Sequence, residues 1–395
     1  MAALSNLLNL PEGDKTARGL LHTPQEIAQQ PATWESTFGR FQNRHTVIRE
    51  FLREAGVSGD PRQRPTVFLL GAGTSDYIGR TLTHLLRRLW QCEVVAVPTT
   101  DLLTHFEESL LPQRRYLWIS FSRSGDSPES VAVLERALNT HPDIHHLIVS
   151  CNAEGRMVRD TAGKDQVLSV CLDDKVNDRG LAMTSSFSNM VVFGQCMAHA
   201  ENPGEYEKVF RQLVGAGKNF LNTAADCAAE LANGGYSKAC FVGSGALRGV
   251  ANESALKLLE MTAGKTLTMS ESTLGLRHGP MAALDDETLF VCFLSGDGRT
   301  QKYEADLLEE IGRKHLVRTR VVVGCEATPR LAAFSEHLLT PANALTVADE
   351  YRAPVDVMFG QALGLFFSLR WGLKPDCPSP NGAITRVVQN VSIYA

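Results

Sequence analysis

Residues 67–75 read VFLLGAGTS and residues 240–247 read CFVGSGAL, an apolar run followed by a glycine-rich turn, met twice in one chain. Two further stretches return in the same order. SFSRSGD (120–126) comes back as CFLSGDG (292–298), and LIVSCNAEG (147–155) as VVVGCEATP (321–329). Between the glycines at 71 and 243, the glycines at 125 and 296 and the cysteines at 151 and 325, the offsets are 172, 171 and 174 residues. Three agreements in one order mark an internal duplication. In each copy, strands of four to seven apolar residues alternate with helical stretches, the pattern of a parallel sheet covered by helices on both faces. The fold class is α/β, with two domains of one kind in tandem.

The length of 395 residues agrees, being too great for a single core of ordinary size. The boundaries read as a helical arm over 1–47, a first domain over 48–205, a helical connector over 206–224 after the ENPGE break, and a second domain over 225–372. Within the arm, Thr23 and Pro24 make a helix start. The tail, 373–395, holds three prolines and then a β-like run, and should wrap the surface before packing down near the active site.

Composition narrows the function classes. With 44% hydrophobic and 21% charged residues the chain is of the soluble globular kind, and a net charge of -5 with no basic run argues against a nucleic-acid partner. No apolar run reaches membrane length, and MAALSNLLNLPEGDK lacks the basic start of an export signal. The nine cysteines never form a CxxC pair and sit in or beside apolar runs, as reduced core cysteines do. A cytoplasmic setting is expected, and no Cys/His cluster has metal-ligand spacing, so neither metal nor cofactor is expected.

The chemistry falls in the turns. In open parallel sheets, ligands bind beyond the carboxyl ends of the strands, where strand order reverses. GAGTS (71–75) and SRSGDS (122–127) both lie at such ends, the second entering a helix with Ser127 in the N-cap place and Pro128 in the first turn. Each supplies glycines for close approach, hydroxyl donors and the positive end of a helix, a combination suited to a phosphate monoester. Arg123 adds a possible charged hydrogen bond. Nucleotides fit poorly: Asp76 stands where G-x-G-x-x-G needs its third glycine, and there is no G-K-[ST]. One such loop is usually a mere turn; two at neighbouring strand ends make a site as good a reading as a turn. The second copy is the control. It has Phe293 and Gly298 where the first has Ser122 and Ser127.

The second copy offers something else. In NESALKLLEMTAGK, Glu253, Lys257 and Glu260 are spaced i, i+4, i+7 on one stripe of a helix. Such a stripe is ordinarily a solvated face, yet the leucines and alanines around it suggest burial, and buried carboxylates need a reason. LRHGP (276–280) then places His278 in a loop, suited to proton transfer if it meets a ligand.

GAGTS, SFSRSGDS and ESALKLLE with LRHGP together resemble the sugar isomerase (SIS) family, over about residues 45–395. EIAQQPATW, AVPTTDL, SRSGDSPESV, DRGLAMTSS, GLRHGP and RVVQNV further resemble its AgaS group of galactosamine-6-phosphate deaminase/isomerases, formerly described as tagatose-6-phosphate ketose/aldose isomerases. The resemblance implies two tandem SIS domains. Ser75, Ser122, Ser124 and Ser127 would hold the phosphate of a sugar phosphate, with Arg123 at a usually polar position. Glu260 would move the proton between C1 and C2, Lys257 would stand one turn before it, and His278 would open the ring, reaching in from a neighbouring subunit of a homodimer. Gly73, Thr74, Thr184, Glu253 and Arg386 match positions near the substrate. Arg386 stands where a glutamine-dependent synthase of the family has a lysine able to form an imine, which a guanidinium will not do. The chain shows no glutamine-hydrolysing domain ahead of the repeats, so ammonia from glutamine is not expected. The implied activity is isomerising deamination of galactosamine 6-phosphate. The alternatives are a plain aldose-ketose isomerase and a non-catalytic sugar-phosphate sensor; residues 1–60 hold no basic helix-turn-helix for a transcriptional sensor.

Overall fold

The computed structural model describes residues 2–324, 326, 328–341, 346–388 and 391–394. It contains two five-stranded sheets, all of whose pairings are parallel. The first consists of β1 (Thr66–Gly71), β2 (Glu93–Pro98), β3 (Tyr116–Ser122), β4 (His145–Ser150) and β5 (Val167–Cys171), in the order β2-β1-β3-β4-β5. The second consists of β6 (Lys238–Gly243), β7 (Leu267–Ser272), β8 (Thr288–Phe293), β9 (Thr319–Val323) and β10 (His337–Leu339), in the order β10-β9-β8-β6-β7. Read from β7, this is the first sheet's order again. The duplication seen in sequence is a duplication of topology.

Burial explains why these runs are strands. β1, β3 and β8 are buried along their whole length, so they read as continuous apolar runs without alternation. On one face of the first sheet Phe68, Leu70, Tyr116 and Trp118 pack with Leu102 and with Val133 and Ala137 of helix Pro128–Thr140. Helix Thr74–Trp90 covers the other face, where Gly79 lets it approach so closely that an added Cβ would lie 3.0 Å from Leu69. In the second sheet Cys240, Val242, Phe290 and Cys292 pack under Leu307, Leu308 and Ile311 of helix Gly298–Arg313, and helix Ala246–Met261 also lies on the sheet.

The compact units cut across the linear boundaries expected from sequence. One gathers residues 1–31, 179–184 and 208–383, the other 32–178, 185–207 and 384–395. Their cause is side-chain pairing around two buried helices. Helix Ser185–Ala198, buried at every position, receives Trp34 Nε1 on Ser188 Oγ at 2.9 Å and Thr37 Oγ1 on Asn189 Oδ1 at 2.7 Å, which ties helix Gln30–Glu54 to the first sheet's unit. Helix Asp349–Arg370 receives Gln30 Nε2 on Gln361 Oε1 at 2.7 Å, and the short helix beginning at Thr23 packs beside it, so the first 31 residues join the second sheet's unit. The connector is one helix, Pro203–Ala232.

The expected β-like end of the tail is not a strand: among its described residues none is extended in a ladder. A β-prone run without a neighbour to pair with stays irregular. Gln389 and Asn390 of the RVVQNV stretch, and Cys325 of the third repeat, lie outside the described residues. Among the described residues no helix is long and apolar enough to cross a membrane.

Candidate functional site

In the first sheet β1 and β3 are neighbours, and the helices that follow them leave for opposite faces, so the crevice between their carboxyl ends is the switch point of the fold. GAGTS and SRSGDS both open there. Gly73 holds φ 57°, ψ -124°, a conformation that only glycine adopts without strain. Gly71 is required by contact, since a Cβ there would lie 2.3 Å from the Ser75 carbonyl carbon. Ser75, Ser122 and Ser124 are buried. Ser122 Oγ accepts from Gly125 N at 3.0 Å and Ser124 Oγ from Asp126 N at 3.2 Å. Each hydroxyl keeps its own proton to donate. Ser127 occupies the N-cap place, as expected, yet its side chain makes no cap bond.

The third repeat braces this loop, which sequence reasoning did not foresee. Asn152 Nδ2 donates to Ser124 O at 2.9 Å, Arg156 N to Asp126 Oδ1 at 2.9 Å and Met157 N to Gly125 O at 3.0 Å. A Cβ on Gly155 would stand 2.4 Å from Ser124 O. Asn152 and Gly155 lie inside the repeated LIVSCNAEG, and that was the signal.

Arg123 is buried, and its Nη2 donates to the main-chain carbonyl of Arg386. The Arg386 guanidinium, matched to a position near substrate, is engaged with protein: Nε donates to Asp178 O at 2.7 Å, and Nη2 to Asn177 Oδ1 at 2.6 Å and Asn177 O at 3.3 Å. Its visible role is to fasten the tail. Cys151 lies among the charges of Asp178, Arg123 and Arg386; burial pushes its thiol well above the ordinary value.

The equivalent loop of the second sheet has the same backbone and different partners for its donors. Gly245 holds φ 58°, ψ -125°, matching Gly73 to within a degree. Here the protein's own carboxylates take the donors. Glu304 accepts from Ser244 Oγ at 2.6 Å and Ser295 N at 2.7 Å, while Asp349 accepts from Ser295 Oγ at 2.5 Å and Gly296 N at 2.8 Å. Asp349 also meets the buried Arg352 at 3.2 Å, and Arg352 pairs with buried Asp356 at 2.8 Å. Burial pushes the Glu304 carboxyl above its ordinary value, with the Ser244 hydroxyl and Ser295 N–H pulling it back.

The carboxylate stripe of helix Ala246–Met261 is not a solvated face. Glu253 and Lys257 are fully buried, and the Glu260 side chain keeps 18% exposure. Lys257 Nζ lies 3.3 Å from Glu253 Oε1 and also pairs with Glu260 Oε1. Burial alone would lower the Lys257 ammonium; the charges of Glu253 and Glu260 outweigh it and raise it above its ordinary value. One lysine thus fixes two carboxylates, of which Glu260 is the one that reaches solvent. Close packing on helix Asp349–Arg370 holds the stripe: a Cβ on Gly360 would meet Ser254 Oγ at 2.1 Å, and one on Gly364 would meet the Lys257 carbonyl oxygen at 2.9 Å. His278 is exposed after the turn Gly275–Arg277. Thr184 is fully buried, its carbonyl accepting from Gln361 Nε2 at 3.2 Å, which makes it part of the packing.

No protein-family model matches the chain. Curated relatives do. It is 35% identical over 94% of its length to a protein of Escherichia coli O157:H7 named D-galactosamine-6-phosphate deaminase AgaS, 95% of which is covered. It is 31% identical over 99% to the protein of that name from a Shewanella species, 96% of which is covered. Among solved structures, one described as tagatose-6-phosphate ketose/aldose isomerase from Escherichia coli superposes with a TM-score of 0.84 at 32% identity, covering 94% of this chain and 96% of that one. The C-terminal domain of a glucosamine-fructose-6-phosphate aminotransferase from Francisella tularensis shares the fold, with a TM-score of 0.71 at 16% identity over 90% of this chain and 97% of that one.

Proposed function

The chain belongs to the AgaS family of tandem sugar isomerase (SIS) proteins, and from that premise we propose that it converts galactosamine 6-phosphate to tagatose 6-phosphate and ammonium. The observation that carries the reading is the Glu253–Lys257–Glu260 stripe, a buried ion-paired group with one carboxylate left accessible, in a chain alike over nearly its whole length to proteins named as this deaminase.

The phosphate of the sugar binds the loops of Ser75 and Ser122 to Ser127, with Gly73 and Thr74 shaping the first of them, and supplies binding energy remote from the reacting carbons. His278 moves a proton between O5 and O1 as the ring opens; its exposure suits service in a neighbouring subunit of a homodimer. Glu260 takes the proton from C2 while O1 gains one, giving an enaminol, and returns it to C1 while the nitrogen gives one up, giving the 2-imino ketose. Water adds to the imine carbon and ammonium leaves, yielding the ketose 6-phosphate. Lys257 holds the Glu260 carboxylate in place. The reaction is hydrolytic at nitrogen, and the free thiols of Cys92, Cys151, Cys196 and Cys240 fit a reducing cytoplasm.

A second reading, plain aldose-ketose isomerisation of tagatose 6-phosphate, is favoured by the description of the solved Escherichia coli structure. An ammonium-release assay on galactosamine 6-phosphate, glucosamine 6-phosphate and tagatose 6-phosphate separates the two. Ammonium from galactosamine 6-phosphate is expected; isomerisation of the hydroxy sugar with no ammonium from either amino sugar would overturn the deaminase.

A further inference from the structure

Arg123 sits in the middle of the serine loop but points its Nη2 at the Arg386 carbonyl, while the Arg386 side chain grips Asn177 and Asp178. Around it the tail is exposed, with Ile384 at 43% and Val388 at 52%, whereas Asn177 and Asp178 beneath are buried. Asp178 is itself held, accepting from Ser185 N at 3.0 Å and Ser186 N at 2.9 Å at the start of helix Ser185–Ala198. Within the 384–388 segment Arg386 is thus held twice, by its side chain below and by the serine loop above. A guanidinium suits the lower end, the planar fork of Arg386 serving acceptors on Asn177 and Asp178 at once.

We infer that Arg123 and Arg386 form a latch that couples occupancy of the serine loop to ordering of the C-terminal segment, both acting as positioning residues. The coupling half of this inference rests on the reading of that loop as the phosphate site. Any change in tail order produced by an anion in the loop must be matched by an equal change in anion affinity when the tail is released.

Backbone hydrogen exchange over 384–388 in the full-length protein, with inorganic phosphate as probe, tests this. Arg386→Ala should raise exchange in that segment at least tenfold without changing helix Ser185–Ala198. Phosphate should slow exchange there in the unaltered chain and do nothing to it in the variant. Phosphate affinity should fall in Arg386→Ala by the factor through which phosphate slows the segment, and Arg386→Lys should fall between the two. Unchanged exchange in Arg386→Ala overturns the latch. Released exchange with unchanged phosphate affinity overturns the coupling. Unchanged phosphate affinity in Ser124→Ala instead sinks the phosphate-site reading, while the latch is still judged on exchange without ligand.

Discussion

The two glycine turns at Gly73 and Gly245 are the same piece of backbone used for opposite ends. Both hold φ near 57–58° and ψ near -124 to -125° at the start of a helix. In the first, the neighbouring strand end presents serine hydroxyls, and Val133 on the following helix is apolar. In the second, Glu304 stands at the corresponding place on its helix and, with Asp349, takes the loop's N–H and O–H donors for the protein. The lesson is that duplicated backbone does not leave the same donors open to a ligand. Donors aimed at a switch point bind an outside anion only where no inside carboxylate has reached them first. The second half, whose loop donors are taken by Glu304 and Asp349, carries the ion-paired stripe ending in Glu260.

The comparison can be broken most visibly at Glu260. In the proposed function Glu260 is the acid/base group and the serine loop holds the phosphate, so Glu260→Gln should lower ammonium release by about a hundred- to ten-thousandfold while sugar-phosphate binding persists. Full turnover in that variant would remove Glu260 from the chemistry. Next in size is the loop itself. Hydrogen bonds to a charged group contribute about 1.5–3 kcal/mol each, so Ser122→Ala and Ser124→Ala should each weaken phosphate binding by roughly ten- to a hundredfold by calorimetry, and Ser295→Ala should not.

The shared backbone predicts a symmetric cost. Gly73→Ala and Gly245→Ala should each destabilise the chain by about 1–3 kcal/mol in denaturant unfolding, yet only the first should also weaken phosphate binding. The smallest effect lies in pH. Burial raises Glu304 above its ordinary 4.5, so the folded chain holds that proton more tightly than the unfolded one. The stability this gives is fully present below the ordinary value and is lost as pH rises through the raised one. Unfolding midpoints measured across that window should decline less steeply with pH in Glu304→Gln than in the unaltered chain.

How far the sequence carried the account follows from which forces are local. The apolar runs, glycine turns and 172-residue offset were legible because strand burial and positive φ restrict residue types position by position. The stripe at 253, 257 and 260 was legible as a stripe, and its burial only hinted at by the leucines around it. Glu304 and Asp349 as the occupants of the second loop were not, since they come from a helix interior and from a segment more than fifty residues past Ser295. Nor was the engagement of Arg386 with Asn177 and Asp178, a contact between the tail and a mid-chain segment 208 and 209 residues before it. The exchange of N-terminal and C-terminal segments between compact units escaped for the same reason.

The asymmetry of the two loops is tested most directly by counting ligand. Titration of the full chain with galactosamine 6-phosphate in the Glu260→Gln background should give one binding event per chain, abolished by Ser122→Ala with Ser124→Ala and untouched by Ser244→Ala with Ser295→Ala. Two events per chain, or one that disappears with the second pair and survives the first, would contradict it.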